Sequence, residues 1–367
     1  MIKFFSGSDN IFLILSFTVV IAGMLILTSA SLSLSAEKFF GYPYYFISHQ
    51  FFFGLIPGLV LLAACYKIPF KMWKNWSVPL MFAACVLMAI VLIPKIGLDY
   101  GGARRWIPLG PISFQPAEFL KFAFVAYLAS WLESRGKELG SFKFGLLPFL
   151  IMSGFVASFL IFQPDIGTLL VILSAVFFMF FVSGGSWKQM AGLVLIAVAS
   201  LAILVMYEPY RKDRIAVFLN PQNDIQGKGY QMNQALIAIG SGGIFGKGFG
   251  LSYQKFGNLP EVLGDSIFAI LAEELGFLGS MAILLLFLFI FLRGVYIINR
   301  IRDRFGQLLG LGILFTIVFQ ALINIAAITG LIPLTGIPLS FVSYGSSALV
   351  IMMGELGILL NISKHAT

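Results

Sequence analysis

Ten runs of almost purely apolar residues punctuate this chain, at 11–29, 45–66, 77–94, 116–132, 145–161, 167–184, 188–206, 266–292, 307–330 and 344–362. A helix of about 20 residues crosses a hydrocarbon core about 30 Å thick. Only 11% of the residues are charged, against about 25% in a soluble domain. The expected fold is an all-α polytopic membrane protein of about ten transmembrane helices. The first run also invites reading as a secretory signal peptide, with residues 28–36 as the cleavage region. It is longer than a signal's apolar core and many spans follow, so a retained helix is expected.

Ten spans put both termini on one side of the membrane. Lys67, Lys71, Lys74, Arg135, Lys137, Lys143, Lys188, Arg293, Arg300, Arg302, Arg304 and Lys364 fall on that side in short segments, so the positive-inside rule makes both termini cytoplasmic. The same placement explains the net charge of +8 without nucleic acid. Residues 95–115, 207–265 and 331–343 are then exported, the second as one long extracytoplasmic loop between helices 7 and 8. No soluble domain or fixed-period repeat interrupts the chain, and residues 1–367 read as one transmembrane unit. Cys65 and Cys85 lie in apolar segments without CxxC spacing, and His49 and His365 are too far apart to suggest a metal site.

The exported segments depart from membrane filler. Residues 102–121, GARRWIPLGPISFQPAEFLK, set Arg104, Arg105 and Trp106 at the membrane surface. Guanidinium groups suit a phosphate or lipid headgroup, while plain interfacial anchoring is the competing reading. Glu118 and Lys121 share a helix face at i and i+3, either neutralising each other or lining a polar cavity. Asp165 in QPDIGT is expected as a helix N-cap.

The long loop carries Arg211, Lys212 and Arg214, then a short amphipathic helix at 231–239. A glycine-rich stretch follows, with glycines at 240, 242, 243, 246, 248 and 250 beside Lys247 and Lys255. It lacks the Walker pattern. It reads either as a flexible loop or as backbone that approaches an anion closely. Residues 259–276, LPEVLGDSIFAILAEELG, end the loop with Glu261 and Asp265 and continue into an apolar helix with Glu273 and Glu274. Carboxylates at a membrane boundary are costly, which marks them as candidates for function. For Asp265 an N-cap role competes with a catalytic one. The last exported segment, residues 329–347, is dense in proline, glycine and hydroxyl residues, implying non-helical backbone shielded by protein or lining a water-filled cavity.

Taken together, these residues suit a substrate with a phosphate or pyrophosphate head and a lipid tail. A carboxylate could act as base on a hydroxyl nucleophile while cations stabilise a departing pyrophosphate. A flippase or transporter binding such a lipid fits the same residues.

GARRWIPLG, FQPAEFLK, QPDIGT, GYQMNQALIAIGSGGIFGKG, LPEVLGDSIFAILAEELG and TGIPLSFVSYGSS, in this order across nearly the whole chain, resemble the SEDS family (shape, elongation, division and sporulation), the RodA- and FtsW-type membrane proteins. The resemblance implies peptidoglycan glycosyltransfer: polymerisation of lipid II into glycan strands outside the bacterial cytoplasmic membrane. It implies a class B penicillin-binding protein as partner, with other divisome or elongasome membrane proteins. Asp265 is implied as the general base. Arg104, Arg105, Glu118, Lys121, Lys247, Glu261, Ser343 and Tyr344 are implied at the substrate.

Gly264 and Ser266 stand where the family usually has Thr and Phe. GYQxxQ leans toward the division-type branch. No cofactor motif is present; a divalent cation, Mg²⁺ or Mn²⁺, near the carboxylates and pyrophosphate is chemically reasonable. A non-catalytic divisome scaffold is the third functional class kept open.

Overall fold

The computed structural model describes residues 5, 7–39, 42–100, 103–207, 209–219 and 229–366. Residues 220–228 of the long loop, Gly102 of the ARRW segment and the side chains of Lys137 and Arg211 lie outside this description. Every apolar run becomes helix. In order these are α1 (Asn10–Lys38), α2 and α3 (Tyr45–Gln50 and Ile56–Lys67, continuous through a π-turn), α4 (Phe70–Leu92), α5 (Pro116–Arg135), α6 (Leu147–Phe162), α7 (Ile166–Val182) and α8 (Trp187–Tyr207). After α9 (Pro209–Leu219) and α10 (Tyr230–Ser241) come α11 (Ile267–Asn299), α12 (Arg304–Ile328) and α13 (Ser346–Ser363).

Among the described residues, eight helical stretches are long and apolar enough to cross a membrane. The molecule is therefore a polytopic membrane protein. The other two apolar runs are α5, which carries Glu118, Lys121, Glu133 and Arg135, and α7, which has 17 residues.

The bundle is graded from inside to outside. α12 and α13 are buried along most of their length, whereas α4 and α8 show most of their surface to the surroundings. α3 and α13 approach closely because glycine lines the contact. A Cβ added to Gly357 would lie 2.4 Å from the Leu62 carbonyl oxygen, the close backbone approach that small residues allow in membrane helices. The π-turns Phe51–Leu55 and Phe142–Leu146 each precede a proline, Pro57 and Pro148. A proline ring clashes with the carbonyl four residues back, and widening that turn relieves the clash.

Two features correct the sequence expectations. The fold is not wholly α: β1 (Leu98–Tyr100), β2 (Ala103–Leu109) and β3 (Ile112–Phe114) form a three-stranded antiparallel sheet. Ile107 pairs with Phe114, and Leu109 with Ile112. Gly110 takes φ +67° at the first position of the two-residue turn, where a tight hairpin favours glycine.

Nor is the eighth apolar run one uninterrupted helix. Gly276 has φ 67° and ψ −163° inside α11, breaking it into a short buried piece and a long span. The break would orphan two donors and two acceptors. Instead Phe277 N–H donates to the Gly243 carbonyl (2.9 Å) and Leu278 N–H to Ile244 (3.2 Å). In return Lys247 N–H donates to Glu273 (3.0 Å) and Gly248 N–H to Glu274 (3.0 Å). The glycine stretch is thus a fixed partner of the broken turn. A Cβ on Gly246 would sit 2.1 Å from the Glu274 carbonyl oxygen.

Candidate active site

Asp265 sits one residue before the N-cap of α11. The cap position itself belongs to Ser266, whose side chain makes no capping bond, so the N-cap reading of Asp265 does not hold. Its Oδ1 accepts instead from Gln231 Nε2 of α10 (3.1 Å) and from Ser266 Oγ (3.4 Å). Asp165, by contrast, caps α7, accepting from Thr168 N–H (3.1 Å) and Thr168 Oγ1 (2.9 Å).

Asp265 is half-buried and Glu261 lies exposed on the preceding turn. Burial, then the Glu261 carboxylate beside it, pushes Asp265 up to about 6; the Arg214 guanidinium and the Ser266 hydroxyl pull in the other direction. Arg214 comes from α9 and also donates to the Leu334 carbonyl (2.5 Å). Glu261 itself takes φ +50°, a left-handed conformation that costs a non-glycine residue energy and tends to cluster at functional sites. Gly264 makes room for it: a Cβ there would lie 3.2 Å from Glu261 Oε2.

The non-helical segment between α12 and α13 holds this loop in place. Ser343 Oγ donates to the Gly264 carbonyl (2.6 Å) and accepts from Leu339 N–H (2.7 Å). Tyr344 N–H donates to the Leu263 carbonyl (2.8 Å). Burial holds the Tyr344 phenol up at about 12, so it stays protonated and donates to His49 Nδ1 (2.9 Å); His49 Nε2 in turn meets the Pro111 carbonyl of the hairpin (2.9 Å). Ser343 and Tyr344 therefore act as positioning residues for the Asp265 loop.

Glu118 and Lys121 form a buried ion pair at 2.7 Å. Lys121 Nζ also donates to Gln320 Oε1 of α12, and Gln320 Nε2 donates to the Pro338 carbonyl (3.1 Å). One turn further along α12, Asn324 Nδ2 donates to the carbonyls of Asp265 (2.8 Å) and Ile337 (2.7 Å). α12 thus joins the buried pair to the backbone of the candidate base.

Arg104 and Arg105 belong to the hairpin. Arg104 Nε pairs loosely with Asp99 (3.5 Å), and Arg105 binds the carbonyls of Gln163 (3.2 Å) and Pro164, tying β2 to the turn before α7. Lys247 is not brought to Asp265. Its ammonium meets Glu273 at 2.6 Å, with the lysine side chain still 37% exposed. Sequence reasoning passed over Gln231, Gln320, Asn324 and His49, and took Arg214 only as part of a surface cluster. Gln320 and Asn324 carried a legible signal: two polar residues at i and i+4 in an apolar span.

The family model for FtsW, RodA and SpoVE, described as cell cycle proteins, matches residues 9–367. The chain belongs to this family. SEDS proteins similar to it include stage V sporulation protein E of Bacillus subtilis strain 168, 39% identical over 363 residues and 98% of each chain. Another is the probable peptidoglycan glycosyltransferase FtsW of Geobacter sp. strain M18, 36% identical over 98% of this chain and 97% of that one.

Two solved structures share the fold of this SEDS chain. One, described as the structural coordination of polymerization and crosslinking by a peptidoglycan synthase complex, matches with a TM-score of 0.80 and 27% identity over 97% of both chains. The rod shape determining protein RodA of Thermus thermophilus matches with a TM-score of 0.71 and 26% identity, over 98% of this chain and 97% of that one.

Proposed function

We propose that this SEDS protein is a peptidoglycan glycosyltransferase that polymerises lipid II, with Asp265 as general base. The observation that carries this reading is the setting of Asp265: half-buried, held through Gln231 on its side chain and Asn324 on its backbone, and pushed up to about 6. A base works best with a pKa near the operating pH. Asp265 takes the proton of a sugar 4-hydroxyl on one lipid-linked unit. The oxygen attacks the anomeric carbon of the other, the bond from that carbon to the pyrophosphate oxygen breaks, and lipid pyrophosphate leaves with the electron pair. Arg214, Arg104 and Arg105 are the basic groups suited to the departing phosphates.

Among the described residues no group of three His, Cys, Asp or Glu side chains could hold a metal ion. Glu261 and Asp265 are the pair that could share Mg²⁺ or Mn²⁺ with substrate phosphates, since Mg²⁺ keeps few protein ligands. Such an ion would neutralise pyrophosphate charge.

The finer reading has ten spans, cytoplasmic termini, an extracytoplasmic 207–265 loop, one unit over residues 1–367 and residence in the bacterial cytoplasmic membrane. The distribution of lysine and arginine supports it. A class B penicillin-binding protein is the proposed crosslinking partner.

Purified protein, alone or with that partner, should convert lipid II into glycan strands, and Asp265→Asn should fold yet make none. Full polymerisation by Asp265→Asn would exclude the base assignment. Movement of lipid II across vesicles without polymer, unaffected by that substitution, would instead support a flippase, and growth complemented by Asp265 variants a scaffold.

A further inference from the structure

The stretch from Gly243 to Phe256 is exposed and yet strongly apolar. Phe245 is 79% exposed, Leu251 66% and Tyr253 68%, and Ile244, Phe249 and Phe256 are exposed with them. On a water-facing loop such a contiguous apolar surface is rare and marks an interaction site. Beneath it the stretch is neutralised and rigid. Its two charged residues are both paired, Lys247 with Glu273 (2.6 Å) and Lys255 with Glu274 (2.8 Å). Glu273 also accepts from the N–H groups of Tyr253 (3.2 Å) and Gln254 (3.1 Å) and from Ser252 Oγ.

Distances along two helices place the stretch at membrane depth. Sixteen residues of α11 separate Phe277, whose N–H bonds Gly243, from Arg293, which pairs with Asp9 at the start of α1. That is about 24 Å of helix at 1.5 Å per residue. On α1, Ser29 donates to Glu274 at 2.7 Å and lies nineteen residues beyond Asn10, about 28 Å along the helix. Both distances fall within a hydrocarbon core about 30 Å thick. Phe277 and Leu278 beside the stretch are exposed on the span itself, so its apolar surface continues the lipid-facing surface of α11. The exchange of backbone hydrogen bonds across the Gly276 break is what non-helical backbone needs at that depth.

We propose that residues 243–256 form a re-entrant loop inserted among the acyl chains of the leaflet opposite the Asp9–Arg293 pair, with the carboxylates of both ion pairs enclosed by protein and the aromatic side chains facing lipid. Because the loop runs directly into residues 259–265, it sets the depth of Asp265 relative to the bilayer surface. The inference rests on the span and the loop contacts, and holds whichever reaction Asp265 serves.

The test uses the full chain, with Cys65→Ala and Cys85→Ala, alone in phospholipid vesicles. Bimane is attached in turn to Phe245→Cys, Phe249→Cys and Tyr253→Cys. Leu195→Cys on the exposed face of α8 is the lipid reference, and Glu138→Cys, exposed between α5 and α6, the water reference. The loop reporters should lose fluorescence to nitroxide-labelled lipid as the Leu195 reporter does, and resist iodide. Quenching by iodide as at Glu138, with little effect of the labelled lipid, would overturn the proposal. That pattern is also what a surface kept for a partner protein would give in the chain alone. The three independent positions keep the test decisive if one variant does not fold.

Discussion

The side-chain amide of Gln231 on α10 reaches Asp265 Oδ1 and Ser266 Oγ, each at 3.1 Å. One nitrogen thereby ties the amphipathic helix of the long loop to the carboxylate and the N-cap residue of α11. A hydrogen bond to a charged group contributes about 1.5–3 kcal/mol. Gln231→Ala should lower the polymerisation rate roughly tenfold to a hundredfold, at about 1.4 kcal/mol per tenfold. Gln231→Glu, which sets a carboxylate against Asp265, should lower it further. Initial rates on lipid II decide the order.

Polymerisation should fall as the pH drops through about 6, because protonated Asp265 cannot act as a base. Stability moves the other way. The folded-state pKa lies above that of the unfolded chain, so the folded state holds the extra proton in between, and stability is lost as the pH rises toward 6. Asp265→Asn should therefore unfold at a higher temperature than the parent at neutral pH, and the gap should close well below pH 6. Thermal unfolding in detergent across that range provides the check.

Lys255 and Glu274 are almost wholly shielded from solvent, while Lys247 is 37% exposed. Removing one partner of a buried pair costs about 3–5 kcal/mol, since an uncompensated charge stays behind. Glu274→Ala should cost that much. Lys247→Ala should cost less, because the buried Glu273 keeps its hydrogen bonds from Ser252, Tyr253 and Gln254. Replacing both buried partners, as Lys255→Met with Glu274→Leu, should recover most of the loss. Unfolding midpoints of the four proteins test the ranking.

Gly276→Ala should destabilise the junction of α11 with the glycine stretch. The added Cβ would stand 2.3 Å from the Gly246 nitrogen, and a left-handed conformation costs a non-glycine residue of order 1–3 kcal/mol. Gly192→Ala in α8, where a Cβ meets nothing within 4 Å, should be tolerated. Limited proteolysis near residues 243–256 should rise in the first variant only.

The buried pair predicts a rescue as well. Glu355 of α13 lies close enough to interact electrostatically with Lys121 and Glu118, so Lys121→Met leaves two carboxylates with no cation between them. Lys121→Met should express poorly as folded protein. Adding Glu355→Leu should restore folding in part, measured as monodisperse protein after detergent extraction.

The helices were legible because lipid permits no other solution for a long apolar run. The Asp265 loop was legible because charge at a membrane boundary is too costly to be idle. The partner of Lys247 was hidden for a related reason. A lysine among glycines looks available to an anion, and nothing along the chain shows that Glu273, one turn before a break in α11, already holds it. The hairpin at 98–114 was missed because its strands have three to seven residues, too short for periodicity to stand out beside the spans.

Local order of residues therefore determined which segments become apolar helices, and that Glu261 and Asp265 immediately precede one of them. Whether Asp265 caps a helix or is held by groups from distant segments was undecided at that level. The two alternatives differ by one residue of helix start and by the arrival of Gln231, Asn324 and Ser343 from segments far along the chain. Only the packing of α10 and α12 against the 259–266 loop could decide it. Burial beside Glu261 and Arg214 then set the proton affinity of Asp265, because that property depends on neighbours in space and not on neighbours in sequence.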